Sequence, residues 1–233
     1  LARDGEDIVD AARRLGLALD RGVLPIQGPP GTGKTYTAAR MITALVGAGC
    51  RVAVTAQSHK TITNLLEEVA VAAEEEPVRV RILQKAKDLD AHLSPGGDVV
   101  VSDDNPTVER SVREGTVDVL AGTAWLLARR KLDAAADGAG EPFLDVLFVD
   151  EAGQFSLANL VAAATCARSI VLVGDPNQLP MVIQGVHPLG ADTSSLGHLV
   201  GGSVTVPAER GLFLEASRRL HPRVNAFVSA AFY

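Results

Sequence analysis

Two cysteines, two methionines and one tryptophan are all that 233 residues contain of those types, and only 4% of the chain is aromatic. Cys50 and Cys166 stand far apart, each in apolar surroundings and without a histidine at metal-ligand spacing. That argues against a disulfide framework and leads us to expect two buried, reduced thiols of a cytoplasmic protein. Every apolar run is broken by Asp, Arg or Gly well before the ~18 residues that a membrane helix needs, so no membrane span is expected. The first residues, Leu1-Ala2-Arg3-Asp4-Gly5-Glu6-Asp7, are charged and lack the apolar stretch of a signal peptide. Positive charge is scarce too, with 22 Lys and Arg against 28 Asp and Glu and a net charge of −6. A surface that clings to polyanions everywhere is thereby excluded, although one local channel is not. His59, His92, His187, His198 and His221 show no ligand spacing, and no protein-only metal site is expected.

What is present is a large apolar fraction, 47%, arranged in short runs that alternate with helical patterns. Val23–Ile26, Arg51–Ala56, Val117–Thr123, Leu144–Asp150 and Ser169–Asp175 read as strands. Tyr36–Ile42 and Thr61–Ala73 have helical spacing, with Ile62, Leu65, Leu66 and Val69 on one face of the second. Near-continuous apolar strands with helical crossovers predict a parallel sheet covered on both faces. Residues 74–116 change character, with Glu74-Glu75-Glu76-Pro77, Pro95-Gly96-Gly97-Asp98 and Asp103-Asp104-Asn105-Pro106. They are expected as a small insertion at the sheet edge, with a short Val78–Leu83 strand, inside a single domain of residues 1–233. The acidic run is expected to be solvated, as is the basic cluster Arg129, Arg130 and Lys131 at a helix end. Ala134–Gly140 reads as a flexible loop.

Residues 28–35 read Gly-Pro-Pro-Gly-Thr-Gly-Lys-Thr, a complete G-x-x-x-x-G-K-[ST] pattern after a strand and before a helix. Glycines let such a loop turn tightly and aim its N–H groups at phosphate oxygens. Lys34 reaches the β- and γ-phosphates, and the Thr35 hydroxyl suits Mg²⁺. The expected cradle comprises Gly28, Pro29, Pro30, Gly31, Thr32, Gly33, Lys34, Thr35 and Tyr36. Leu147-Phe148-Val149 then leads to Asp150 and Glu151. At a strand end Asp150 suits the same Mg²⁺, and Glu151 suits the orientation or deprotonation of an attacking water. The next strand ends in Gly174-Asp175-Pro176-Asn177-Gln178-Leu179-Pro180. The Gln178 amide both donates and accepts, as a sensor of the γ-phosphate must.

Together with Thr55-Ala56-Gln57-Ser58-His59 and Arg218-Arg219-Leu220-His221-Pro222, these motifs resemble, in order, those of superfamily 1 helicases. The chain is most similar to the 1B branch, which includes the nonsense-mediated-decay helicases and the helicase–nucleases of DNA replication and repair. The resemblance runs from about residue 23 to the last residue. It implies a three-layer α/β RecA-like P-loop NTPase domain with a mainly parallel sheet, an ATP hydrolase working with ATP and Mg²⁺. It further implies that Gln178 and Arg219 contact the γ-phosphate. Gln57, Ser58, Thr61, Gly122 and Thr123 would contact the backbone of a single strand, DNA rather than RNA.

Three departures stand out. Residues 1–26 hold no glutamine of the kind that reads adenine in the family, and Arg218 replaces the aromatic residue before the fifth motif's arginine. Family members also continue into a second RecA-like domain, whereas this sequence ends at Phe232-Tyr233. The expectation is a first motor domain of a longer protein, weakly active alone. The competing class is a P-loop ATPase that remodels proteins or acts as a nucleotide-gated binding module, which the acidic balance favours. Trp125 is expected to pack in the core or between domains rather than stack on a base, because Leu126 and Leu127 stand beside it. His221-Pro222 is read as a rigid turn that aims Arg219.

The loop lysine gives the first test. Lys34→Ala should weaken nucleotide binding at least tenfold in titration calorimetry, since a charge-assisted contact in a low-dielectric loop is worth about 1.5–3 kcal/mol. Unchanged affinity would remove the phosphate cradle from the account.

Overall fold

The computed structural model describes residues 1–87, 98–133, 140–179 and 187–233. Pro95-Gly96-Gly97, His92, residues 134–139 of the expected loop and Pro180 lie outside the described residues. The strands are β1 (Val23–Gln27), β2 (Val52–Thr55), β3 (Arg81–Lys85), β4 (Asp98–Ser102), β5 (Val119–Ala121), β6 (Leu144–Val149), β7 (Ala167–Gly174) and β8 (Leu212–Phe213). The helices are α1 (Ile8–Leu17), α2 (Lys34–Gly47), α3 (His59–Glu75), α4 (Asn105–Arg113), α5 (Ala124–Leu127), α6 (Leu157–Ala164), α7 (Ser195–Val200) and α8 (Pro222–Phe232). The strands form one sheet in the order β4-β3-β5-β2-β6-β7-β1-β8. Every pairing is parallel, so the expected mainly parallel sheet is parallel throughout.

Period-two alternation along the strands builds the layers. Val52, Val54, Val146, Phe148, Val171 and Val173 face one apolar core, shared with Met41, Ile42 and Leu45 of α2 and Leu65, Leu66 and Val69 of α3. Their neighbours Ala53, Leu147, Val149 and Leu172 face a second core, closed by Val108 of α4, Leu127 of α5, Leu160 of α6 and Leu196 of α7. Both faces are thus dry, which is why the strands read as unbroken apolar runs. The result is the three-layer α/β arrangement of a RecA-like P-loop domain.

Several boundaries and contacts differ from expectation. β7 begins at Ala167 rather than Ser169, because Ala167 pairs in register with Leu144 at the start of β6. Residues 74–116 first complete α3 and then supply β3, β4 and α4. β3 lies hydrogen-bonded between β5 and β4, extending the same sheet. The strand is shifted to Arg81–Lys85 because Val78 packs against the first core instead of joining the ladder. The acidic run is not simply solvated, since Glu75 pairs with the buried Arg40 and Glu76 with Arg13. Nor is the basic cluster, since Arg129 and Lys131 converge at 2.8 and 3.2 Å on buried Glu109. Cys166 is buried, and burial pushes its thiol up to about 12. Cys50 is only half-buried, correcting the expectation for it.

The loops after β6 and β7 meet backbone to backbone. A Cβ on Gly153 would lie 2.2 Å from the Asp175 carbonyl oxygen, and one on Gly174 would lie 2.8 Å from the Ala152 and Gly153 nitrogens. Neither neighbour is a side chain that can swing away. Gly153→Ala should therefore destabilise the fold by about 1–3 kcal/mol, as core overpacking does. Denaturant unfolding would measure it, and a change below ~0.5 kcal/mol would mean that these loops yield freely.

Candidate functional site

Because all strands run parallel, their carboxyl ends line one edge, where open α/β sheets bind ligands. Following the sheet order, that edge carries Lys85 at the end of β3, Gly122 and Thr123 after β5, and Gln57 and Ser58 after β2. Beyond them come Asp150 and Glu151 after β6, Asp175 and Gln178 after β7, the glycine-rich loop after β1, and residues 217–219 after β8. The candidate residues therefore fall into two neighbouring groups.

The first group surrounds the loop of residues 28–35. Gly31 and Gly33 take φ of +80° and +87°, a left-handed conformation that glycine adopts without steric penalty. The turn is tied down where Gly28 N–H donates to the Gly174 carbonyl at 3.0 Å and the Thr32 hydroxyl donates to the Pro29 carbonyl at 2.8 Å. α2 starts at Lys34, and its N-cap, Gly33, offers no side-chain acceptor to the first turn. Uncapped N–H groups at the positive end of a 14-residue helix suit a phosphate. The Lys34 ammonium donates to the Gly28 and Pro29 carbonyls at 2.8 and 3.4 Å, folded across the loop. The Tyr36 ring lies 3.3 Å beneath the Arg40 guanidinium, one turn further along α2.

Asp150 and Glu151 stand two strands away. Asp150 is buried, and its carboxyl accepts from the Glu151 N–H at 2.9 Å. Burial, reinforced by the neighbouring Glu151 charge, pushes it up to about 6, against the pull of Lys34. A buried carboxylate disfavoured in this way fits a divalent cation, which would supply the missing positive charge. Glu151 sits at φ +52°, a strained position for a non-glycine residue, costing about 1–2 kcal/mol. The Gln154 N–H donating to its carbonyl at 2.8 Å and the Ala152 N–H donating to Val173 hold the turn. Glu151 thus projects from a fixed turn at the end of β6. Thr55, at the adjacent end of β2, has a buried hydroxyl with no hydrogen-bond partner among the described residues.

Gln178 donates from its amide to the Asp175 carboxylate at 3.1 Å. The Tyr233 hydroxyl donates to the same oxygen, and burial together with Asp175 pushes the phenol above its ordinary range. Sequence reasoning gave Asp175 no role, yet it is buried and organises this corner. A strand-terminal aspartate before Pro-Asn was the available signal. Residues 217–219 lie against the loop: Arg218 N–H donates to the Gly31 carbonyl at 2.8 Å, and the Ser217 hydroxyl donates to Pro30 at 3.1 Å. A Cβ on Gly31 would come within 2.5 Å of the Arg219 Cβ. His221 caps α8, accepting from Arg223 N–H at 3.3 Å, as befits a rigid turn after Arg219.

The second group flanks the ends of β2 and β5. Ser58 caps α3, its hydroxyl accepting from Thr61 N–H at 3.1 Å and lying 2.9 Å from the Thr61 hydroxyl. Thr123 precedes α5 and makes no side-chain cap bond. Trp125 does not pack in the core of this domain, the first of the two expected placements. It is 85% exposed, while Leu126 and Leu127 fill the core. At about 25 cal/mol per Å², such a ring leaves roughly 4 kcal/mol of burial unused.

A sequence model of the family described as AAA domain matches residues 10–189. The DNA replication ATP-dependent helicase/nuclease JHS1 of Arabidopsis thaliana is 29% identical over 170 residues, 68% of this chain and 11% of that protein. The Regulator of nonsense transcripts 1 homolog of Drosophila melanogaster is 28% identical over 249 residues, 93% of this chain and 20% of that protein. The chain thus spans 11–20% of the length of these two relatives. Among solved structures, an Arterivirus nonstructural protein 10 helicase in complex with DNA is similar in fold. Its TM-score is 0.53 at 14% identity, over 96% of this chain and 42% of that one.

The raised Asp150 gives a test with a definite sign. The folded protein holds this proton more tightly than the unfolded chain, so in the metal-free state the Asp150 contribution to stability is greatest below about pH 4 and is lost as pH rises to about 6. Asp150→Asn should flatten that decline and raise metal-free stability at pH 7 by about 1–3 kcal/mol. Denaturant melts at acid and neutral pH would measure it. An equal decline in both proteins would contradict a buried, disfavoured carboxylate.

Proposed function

Since the chain belongs to the AAA-domain family, as a nucleotide-binding RecA-like motor domain of the superfamily 1 helicase type, we propose that it binds ATP and couples hydrolysis to its grip on a single strand. The observation that carries this reading is the adjacency, on one sheet edge, of the glycine-rich loop, the Asp150–Glu151 pair and the Ser58–Thr123 group. Gly28 to Thr35 would cradle the phosphates through backbone N–H groups, with the Lys34 ammonium released from its carbonyl partners to the β- and γ-oxygens. Thr35 and Asp150 would hold Mg²⁺, which neutralises charge on the transferring phosphoryl group. Glu151, on its fixed turn, would accept a proton from the attacking water.

Gln178 and Arg219 would contact the γ-phosphate from either side of the loop. Gln178 now donates to Asp175, so that contact requires exchanging one partner for another. We further infer that a second RecA-like domain of the full-length protein faces this edge, as the family resemblance implies. Gln57, Ser58, Thr61, Gly122 and Thr123 would hold the strand through its backbone. Such contacts position nucleic acid without reading sequence. DNA rather than RNA is the proposed strand.

In the full-length protein, single-stranded DNA should stimulate ATP hydrolysis, and Glu151→Gln should abolish turnover while ATP·Mg²⁺ binding stays within about threefold. The substitution keeps shape and removes the proton acceptor. Turnover indifferent to any single strand would favour the protein-remodelling ATPase instead. Near-normal turnover in Glu151→Gln would pass the acceptor role to another group.

A further inference from the structure

Beyond the Ser58–Thr123 group, the same edge opens into a hollow of about 550 Å³ between β3, α4 and α5. That size lies within the roughly 300–1,000 Å³ typical of small-ligand clefts. Its lining joins Trp125 to Lys85, Lys87, Arg129 and His59, and among the described residues no acidic side chain lines it. In a chain of net charge −6 this local reversal of sign is the feature that most needs explaining. Arg129 is already paired with Glu109, whereas neither Lys85 nor Lys87 has an ion-pair partner among the described residues. Lys85 is near enough to help hold the Asp104 carboxyl below its usual range, and its stem packs beside Gly122.

An exposed, rigid indole flanked by unpaired ammonium groups is the combination with which proteins hold single strands: an aromatic face for a base, cations for the backbone. We propose that this hollow seats one nucleotide of a bound single strand, its base stacked on Trp125 and its phosphate between Lys85 and Lys87. This rests on the reading of the chain as a strand-gripping motor and adds a subsite that grips the base itself. The subsite continues the proposed strand path without a break. His59 follows Ser58 in the chain, Thr123 lines both places, and β3 and β5 are neighbours in the sheet. With adjacent strands about 4.8 Å apart, the hollow sits about 24 Å from the glycine-rich loop, clear of the nucleotide. Stacking accepts any base, so the grip would be indifferent to sequence.

Trp125 is the one tryptophan of the chain, which makes its emission a local probe. A twelve-residue oligothymidine should quench it on binding. A strand of the same length with abasic sugars throughout should bind more weakly and leave the emission unquenched. Trp125→Ala should weaken oligothymidine binding about five- to hundredfold, and Trp125→Phe should recover most of the loss. Replacing Lys85 and Lys87 together by alanine should lower the slope of log affinity against log salt by about 0.7 for each lysine. Oligouridine of equal length, run alongside, separates a DNA grip from an RNA grip.

Binding of oligothymidine or oligouridine with unquenched emission and unaltered affinity in Trp125→Ala would overturn the subsite and leave the motor reading standing. Failure of the parent chain to bind any strand would overturn both. Quenching is read on the parent chain, so the test does not depend on how the variants fold.

Discussion

The approach of the loops after β6 and β7 is the constraint on which the rest of the edge depends. Gly153 and Gly174 leave no space for a side chain between the two backbones. In that contact Ala152 N–H reaches back to Val173, and Gly28 N–H reaches across to Gly174. Three consecutive strands of the sheet are thus locked together at their carboxyl ends, and each carries one part of the proposed phosphate site. The left-handed turn at Glu151 is tolerated because hydrogen bonds on both sides hold it. A looser junction would let that residue relax toward an ordinary conformation and swing its carboxylate away.

Charge is arranged around this junction so that the residues alone leave it electrostatically unbalanced. Asp150 is buried beside another carboxylate, and Lys34 is turned onto carbonyl groups. The first turn of α2 has no side-chain cap. Each of these is a modest cost that a bound phosphate and cation would remove together. Asp175 shows the opposite strategy: buried as well, it collects donors from Gln178, Tyr233 and the Asn177 backbone. Two strand-terminal aspartates on neighbouring strands thus have different states. Asp150 is disfavoured by burial and a like charge, whereas Asp175 is surrounded by donors.

Much of this was legible in the sequence because it rests on local pattern. The glycine spacing of residues 28–33, the apolar runs of β6 and β7 and their terminal acids are contiguous signals, and parallel pairing follows from apolar strands separated by helices. What was not legible depends on tertiary approach. Nothing near Gly153 in sequence says that Asp175 backbone will lie against it. The core placement expected for Trp125 failed because Leu126 and Leu127 share its apolar character. Successive side chains on a helix point about 100° apart, so three in a row cannot all face one core, and in α5 the two leucines take it. The pairing of Glu75, Glu76, Arg129 and Lys131 was hidden for the same reason, since their partners lie elsewhere in the chain.

The sheet also supplies a route between the two groups of site residues. β2 lies directly beside β6, and Asp150 N–H donates to the Thr55 carbonyl at 2.9 Å. Ser58, three residues beyond Thr55, caps α3 and is bonded to Thr61. A displacement of the Asp150 turn that accompanied nucleotide binding would therefore reach Ser58 through one backbone hydrogen bond and a short stretch of chain. The link requires no remote signalling, only that the turn and the cap move as a packed unit. Its reach is graded, because Gly122 N–H bonds to Val54 on the other side of β2, tying the β5 loop to the same strand. In the proposed reading, the residues nearest β6 would feel the state of the nucleotide most strongly. The hollow around Trp125, two strands beyond β2, would feel it least, which suits a foothold that keeps its base while the backbone contacts nearer the nucleotide are made and broken.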